Sequence, residues 1–170
     1  KTMDQSKLDR AIEFHRKHDF QSAKKLYQEL LLTRENNFFP LFLLGTLELD
    51  LNNIDEATKY LEMSLEKNPN HIDTYLNLSA IYFDKSEFDK SKEYLEAGKK
   101  YIDHTNYNNH KKLCFRLANT YKITGELDKA KLVYEEMYSF DPLNLVVVYF
   151  LYELNAINLD STLKKKIKLM

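Results

Sequence analysis

Apolar residues recur along this chain at intervals of three and four positions, the spacing that places them on one face of a helix. The segment 38–71 shows this clearly, because a run through Leu41 and Leu44 ends at a polar break at Asn52. A second helical run follows the break, and Pro69 ends it. The segment is therefore predicted to form a hairpin of two helices, each with one apolar face.

The hairpin pattern repeats at a fixed spacing along the chain. Small residues recur at matching positions, at Ala11, Gly45 and Ser79 in the first helices and at Ala23, Ala57 and Ser91 in the second helices. The turn within each hairpin also repeats, beginning at His18, Asn52, Ser86 and Gly125. Because a hairpin with two apolar faces cannot bury both alone, successive hairpins must stack. The sequence predicts an all-α solenoid of antiparallel helix pairs.

These positions resemble the tetratricopeptide repeat family. Its signature combines a small residue midway along the first helix, another early in the second helix, a large apolar residue one turn later and often a final proline. The second repeat supplies Leu41, Leu44, Gly45, Ala57, Leu61, Ser64 and Pro69, and the third supplies Tyr75, Leu78, Ser79, Tyr82, Ser91, Leu95 and Gly98. The resemblance implies a right-handed superhelical solenoid whose function is protein binding.

The resemblance also implies a domain organisation, with one solenoid domain over residues 1–170. Its parts are repeats at about 4–37, 38–71, 72–105 and 111–144, a capping helix at 145–158 and a C-terminal tail at 160–170. The capping helix is more apolar than a solvent-facing cap should be, so we expect part of it to pack against another subunit or the rest of a longer chain. The Lys-rich tail is expected to be a solvated helix face.

Composition and charge exclude several classes of function. The chain has 25 Lys and Arg against 26 Asp and Glu, a net charge of -1, so no whole-chain field recruits nucleic acid or an anionic membrane. Its one cysteine, Cys114, cannot form an internal disulfide. The sequence has no apolar run long enough to cross a bilayer and no signal-peptide pattern. We therefore expect a cytoplasmic protein without membrane insertion.

The sequence contains no motif of a phosphate-binding, metal-binding or catalytic site. The three glycines take structural positions, which leaves no phosphate-binding loop. None of the histidines has the spacing of a zinc motif; they are His15, His18, His71, His104 and His110. Cys114 occupies a core position of the repeat and is expected to be a buried, inert thiol. We therefore predict no catalytic residue, no metal site, no cofactor and no enzyme activity.

The resemblance places the first helices along the concave groove of a superhelix, which implies a set of contact residues. This groove set comprises Phe39, Phe42, Thr46, Leu76, Asn77, Phe83, Lys112, Phe115, Arg116, Asn119 and Lys122. It is apolar at one end and basic at the other, which suits a peptide or partner protein with apolar side chains and an acidic group. The alternative is that its phenylalanines at positions 39, 42 and 83 pack between neighbouring helices.

Some members of this family have a carboxylate clamp, which binds the C-terminal acid of chaperone peptides. This sequence matches the clamp only in part. Asn77, Lys112 and Arg116 stand at matching positions, whereas Phe42 and Thr46 replace two of the expected donors. Losing two charge-assisted donors should weaken such binding by several kcal/mol, so chaperone tails are not the expected partner. The expected function is a protein-interaction adaptor. Two alternatives are a docking or regulatory arm of a larger enzyme, such as a bacterial transferase, and a self-assembling scaffold that associates through its last helix.

Overall fold

The computed structural model describes residues 2–33, 37–103, 105–155 and 160–169. Within these ranges the chain forms ten α-helices and no strand. The helices are α1 (Met3–Arg16), α2 (Phe20–Thr33), α3 (Phe38–Asp50), α4 (Ile54–Lys67), α5 (Ile72–Asp84), α6 (Phe88–Lys99), α7 (Tyr107–Ile123), α8 (Leu127–Phe140), α9 (Leu145–Glu153) and α10 (Ser161–Lys168). The predicted all-α arrangement of helix pairs is confirmed.

The chain divides into two compact units, Lys1–Ile81 and Tyr82–Met170. In the first unit, α1 packs on α2, α2 on α3 and α3 on α4. In the second unit, α6 packs on α7, α7 on α8 and α8 on α9. Helices adjacent in sequence are therefore adjacent in space within each unit, as stacked hairpins require. The organisation of residues 1–170 as one domain stays a prediction.

The core of the first unit is built from the apolar faces that the sequence pattern marked. Its buried residues are Leu8, Ala11, Ala23, Tyr27, Leu30, Leu44 and Leu47. The small residues at the repeat positions are buried completely, because larger side chains would hold the paired helices apart. In the second unit, Leu95, Leu117, Ala130 and Tyr134 are buried in the same way.

Each hairpin turn contains one residue in the left-handed backbone region. The residues are His18, Asn52 and Ser86, with φ of 60°, 60° and 61°, and Gly125, with φ of 79°. The next residue donates its backbone N–H to the carbonyl five positions earlier, for example Glu126 to Tyr121 at 2.8 Å. This pair of features is a Schellman cap, which satisfies the last carbonyls of the first helix. The same cap therefore ends α1, α3, α5 and α7.

The capping helix predicted over 145–158 is shorter than expected. It ends at Glu153, because Asn155 takes a φ of 53° and donates its N–H to the Tyr152 carbonyl at 2.9 Å. Asn155 thus stands two residues after the helix end, as the left-handed residues of the four complete hairpins do. The C-terminal end of α9 therefore has the same backbone feature as the first helix of each hairpin. The remainder of the predicted span, residues 156–158, lies outside the described residues.

Candidate interaction surface

In the first unit, two phenylalanines of the groove set form an aromatic cluster with His71. The rings of Phe39 and Phe42 stack with centroids 6.2 Å apart, and Phe42 meets the ring of His71 edge-on at 4.6 Å. All three side chains are half-buried. Burial lowers the pKa of His71, so this ring is a neutral aromatic partner at neutral pH. The two phenylalanines therefore pack against neighbours and still keep part of their surface accessible.

The middle of the groove set is less open than the sequence pattern indicated. Leu76 is only 5% exposed, because it lies one turn after buried Ile72 on the same face of α5. It belongs to the core rather than to a contact surface, which corrects its assignment to the groove. Asn77 and Thr46 are half-buried, and Thr46 donates its hydroxyl to the Leu43 carbonyl at 2.8 Å.

In the second unit, α7 presents a basic face. Lys112, Arg116 and Asn119 are all exposed, and their spacing of four and three residues puts them on one side of the helix. The whole of α7 contains no aspartate or glutamate. Elsewhere in this unit Phe83, another member of the groove set, is half-buried and meets Phe88 edge-on at 5.2 Å.

The basic face of α7 continues into an aromatic cluster that the sequence analysis did not foresee. Phe150 on α9 stacks on Tyr134 on α8, with centroids 4.9 Å apart and planes 17° from parallel. The ammonium of Lys122 lies 3.7 Å from the centroid of Phe150, and Phe115 meets Tyr134 edge-on at 6.4 Å. Burial raises the pKa of Tyr134 to about 12, so its ring is uncharged. Lys122 and Phe115 are thereby fixed by contacts from two neighbouring helices.

A buried polar cluster lies behind this face, between α7 and α8. His110 and Cys114 are one helical turn apart on α7, and both are buried. The imidazole Nε2 of His110 lies 3.1 Å from Glu136 Oε1 on α8. The Lys99 ammonium on α6 lies 2.6 Å from the other carboxylate oxygen, Oε2. The sequence pattern indicated no ligand set at these positions, yet the structure brings an imidazole, a thiol and a carboxylate together.

Burial and charge act in opposite directions on this cluster. Cys114 is buried as expected, and burial raises the pKa of its thiol to about 12, so the thiol is protonated in the absence of a ligand. Burial also disfavours the charged form of Glu136, but hydrogen bonds from Lys99 and His110 hold the pKa of that carboxyl below its usual range. The carboxylate is thus ionised inside a largely buried site.

Among the described residues, no helix combines the length and the hydrophobicity that are needed to cross a bilayer.

Comparison with solved structures shows the fold. The crystal structure of MamA protein has a TM-score of 0.69 at 21% identity, over 89% of this chain and 82% of that one. PilF from Pseudomonas aeruginosa has a TM-score of 0.66 at 15% identity, over 88% and 66% of the two chains. The N-terminal domain of stress-induced protein-1 from C. elegans has a TM-score of 0.59 at 19% identity, over 69% and 94%. These identities support a shared fold alone.

Sequence comparison identifies the repeat. No sequence among curated proteins matches this chain. The family model for the tetratricopeptide repeat matches residues 72–101 and 111–142. These segments contain the helix pairs α5–α6 and α7–α8 almost completely. The resemblance found from the residues is confirmed, since these two segments are tetratricopeptide repeats.

Proposed function

We propose that this protein is a protein-interaction module that binds a peptide or partner protein through groove-set residues of its first helices, without catalysing a reaction itself. The tetratricopeptide repeat fold supports the general class, because stacked helix pairs present extended surfaces for binding. The observation that carries the proposal is the basic face of α7, where Lys112, Arg116 and Asn119 are exposed together.

The charge of α7 favours an acidic partner. Its four basic residues, Lys111, Lys112, Arg116 and Lys122, have no acidic neighbour within the helix, although the whole chain has a net charge of -1. A field of one sign confined to one helix attracts and orients an acidic segment. A single exposed ion pair contributes only about 0–1 kcal/mol, so several contacts must act together. The affinity is therefore expected to fall as the salt concentration rises.

The aromatic side chains beside this face favour a partner that is also apolar in part. Phe115 is half-buried on α7, and Phe150 lies beneath the Lys122 ammonium. A bound segment that places an apolar side chain against Phe115 and a carboxylate against Arg116 would use both chemistries at once. The proposed ligand class is therefore an acidic peptide with interspersed apolar residues.

Selection from a random peptide library tests this proposal without assuming a partner. Phage-displayed peptides are panned against the full chain, and enriched peptides are synthesised and titrated by fluorescence polarisation. We expect the enriched peptides to be acidic and their affinity to fall by about tenfold or more in the Lys112→Glu, Arg116→Glu double variant, because two attractive charges become repulsive. Affinity should also fall with added salt.

A matched control separates the α7 face from general charge. The Lys25→Glu, Lys59→Glu double variant makes the same change in net charge at exposed positions of the second helices α2 and α4. It should bind the selected peptides as the unmodified chain does. Peptides without acidic bias, or an equal loss of affinity in both double variants, would contradict the proposal.

Self-assembly is a second candidate, and the exposed side of α9 favours it. Val146, Tyr149 and Tyr152 are 38%, 36% and 38% exposed along this short helix. Apolar and aromatic side chains grouped on a surface are typical of association sites. Sedimentation equilibrium should show a concentration-dependent dimer that Tyr149→Glu abolishes and that Tyr138→Glu, on the exposed side of α8, preserves. A monomer at high micromolar concentration would exclude this candidate.

A further inference from the structure

We propose that His110, Cys114 and Glu136 form a Zn²⁺ site that joins α7 to α8. One ligand atom of each side chain, the imidazole nitrogen, the thiol sulfur and a carboxylate oxygen, lies within 4.8 Å of the other two. His110 and Cys114 are 2% and 0% exposed, so the donors converge inside the helix pair rather than on a loose surface. All three residues belong to the second compact unit.

The combination of donor atoms selects the metal. Imidazole nitrogen, thiolate sulfur and carboxylate oxygen are the three ligand types that Zn²⁺ accepts in proteins. Mg²⁺ and Ca²⁺ prefer sets made of oxygen alone and do not favour a thiolate. Three protein ligands leave the fourth tetrahedral position to a water molecule, which can reach the site through the partly exposed side chain of Glu136.

The surrounding residues position the ligands. One turn of helix separates His110 from Cys114, so both side chains point to the same face of α7. Lys99 holds Oε2 of Glu136 at 2.6 Å, which leaves Oε1 directed at His110. Such outer hydrogen bonds fix the orientation of metal-binding carboxylates. The ring of Phe140 meets His110 edge-on at 4.6 Å and limits the rotation of the imidazole.

Binding requires a small rearrangement and the loss of one proton. The Cys114 thiol releases its proton to solvent, and the resulting thiolate with the Glu136 carboxylate balances the two charges of Zn²⁺. The His110 nitrogen exchanges its hydrogen bond to Glu136 for a bond to the metal, and the proton that it donated to the carboxylate moves through solvent to the other ring nitrogen. The ligand atoms must approach to about 2.0–2.3 Å from the ion, which draws the most distant pair together by about 1 Å.

A purely hydrogen-bonded cluster would explain only part of the arrangement. It accounts for the contacts of Glu136 with His110 and Lys99, but it gives the sulfur of Cys114 no role beyond filling space. The Zn²⁺ site uses all three donors. The two explanations differ in their response to metal and in the importance of the sulfur atom, and both differences can be measured.

Titration of the full chain with metal alone tests the site. The protein is treated with a chelator, dialysed and titrated with ZnCl₂ by calorimetry, and in parallel with CoCl₂ in an absorbance spectrometer. We expect one ion per chain, a thiolate-to-Co²⁺ charge-transfer band in the near ultraviolet and a melting temperature that rises with Zn²⁺ until the site is saturated. Absence of the charge-transfer band would overturn the proposal, whatever the affinity for Zn²⁺.

Two variants and a control assign the binding to these residues. Cys114→Ser changes one atom, and Glu136→Gln keeps the size of the side chain; each should weaken Zn²⁺ binding by roughly 10-fold to 100-fold or more, since each removes a direct ligand. His15→Asn is the matched control, because His15 also pairs with a carboxylate, Asp50 at 2.8 Å, on α3 of the first unit. Equal affinity in Cys114→Ser and the unmodified chain would show adventitious binding elsewhere and overturn the site.

Discussion

Gly45 on α3 and Leu61 on α4 approach each other so closely that a β-carbon on Gly45 would stand 2.6 Å from Leu61 Cγ. The same atom would lie 3.4 Å from the Ala57 carbonyl oxygen. Leu61 is completely buried, so it has little room to move aside. The absence of a side chain at position 45 is therefore what allows α3 and α4 to pack at this distance.

We expect Gly45→Ala to destabilise the protein despite the better helix propensity of alanine. Overpacking against Leu61 costs about 1–3 kcal/mol, and the propensity gain returns about 0.5–1 kcal/mol, so the mid-range values leave a net loss of about 1 kcal/mol in the free energy of unfolding. Urea denaturation measures this difference. In the Leu61→Ala background the same substitution should cost little, since the obstructing side chain is gone. An equal cost in both backgrounds would contradict the packing argument.

The spacing of small residues could be predicted from the sequence, but the strict need for glycine at one of them could not. Ala11, Gly45 and Ser79 occupy equivalent positions of the repeat, and the pattern states only that each is small. How close two helices come depends on the residue opposite, here Leu61, and on its rotamer. Periodicity identifies the face of a helix that is buried, whereas the distance to the partner follows from the packing of both helices.

The left-handed backbone conformation in the hairpin turns predicts that glycine stabilises the protein at these positions and that alanine destabilises it. A β-carbon on Gly125 would meet no atom within 4 Å, so Gly125→Ala changes only the backbone preference. Because the left-handed region costs an ordinary residue about 1–2 kcal/mol, we expect a loss of about 1 kcal/mol in the free energy of unfolding. Ser86→Gly, at the equivalent position with φ of 61°, should stabilise the protein slightly. Thermal and urea denaturation of both variants measure the pair of effects.

A neighbouring residue provides the control for this prediction. Lys85 precedes Ser86 and is not among the residues with positive φ, so Lys85→Gly gains nothing from conformational freedom and should destabilise the protein. If glycine at positions 85 and 86 had the same effect on the free energy of unfolding, the left-handed conformation would not be the cause.

The carboxylate of Glu126 predicts a pH-dependent contribution to stability. Hydrogen bonds from Lys129 at 2.5 Å, from Lys92, and from the Thr124 hydroxyl at 3.0 Å hold the pKa of Glu126 at about 2, below the usual value of 4.5. A lowered pKa in the folded state stabilises the fold above the unfolded pKa, and the contribution disappears as the pH falls through the folded value. Glu126→Gln should therefore lose stability above about pH 4.5, with the difference vanishing toward pH 2.

Unfolding of the unmodified chain and of Glu126→Gln at several pH values measures this window. The same substitution at the exposed Glu93 on α6 is the charge-matched control. A pH-dependent loss of equal size at position 93 would show that net charge, rather than the hydrogen bonds of Glu126, causes the effect.

Features of the candidate site that depend on a single helix could be predicted from the sequence. Features that depend on the packing of two helices could not. The exposure of Lys112 and Arg116 follows from helical spacing within α7 alone. The family resemblance places Leu76 in the groove, and helical spacing does not reveal how much of α5 its neighbours cover. The proximity of Cys114 to Glu136 requires α8 to pack on α7 in one register, and the two residues are too far apart in sequence for any spacing rule to join them.

The end of α9 is a local feature that the sequence alone also did not determine. The first-helix pattern at Tyr149, Leu151 and Tyr152 predicts a helix that continues to residue 158. The left-handed conformation of Asn155 ends it earlier. Asparagine tolerates this conformation better than most residues, but it also occurs within helices, so the sequence alone did not decide the boundary.

The contact of Lys122 with Phe150 yields a final prediction that connects stability with the proposed binding surface. Phe150→Leu removes the stacking on Tyr134 and the cation–π contact, and we expect it to lower the free energy of unfolding by about 1–2 kcal/mol. In a double-mutant cycle with Lys122→Met, the coupling should be about 0.5–1 kcal/mol, because the ammonium lies 3.7 Å from the ring centroid. Urea denaturation of the four proteins measures it.

Tyr149→Leu is the control for this cycle, since Tyr149 is an exposed neighbour of Phe150 on α9 and should show no coupling to Lys122. Strictly additive effects of Phe150→Leu and Lys122→Met would mean that the lysine is not held by the ring. The result also bears on binding, because a lysine fixed against Phe150 presents its charge to an acidic ligand at a set position. Phe150→Leu should then weaken the binding of the selected acidic peptides, even though the substitution removes no charge. Unchanged affinity would show that the aromatic side chains around Phe150 do not contribute to binding.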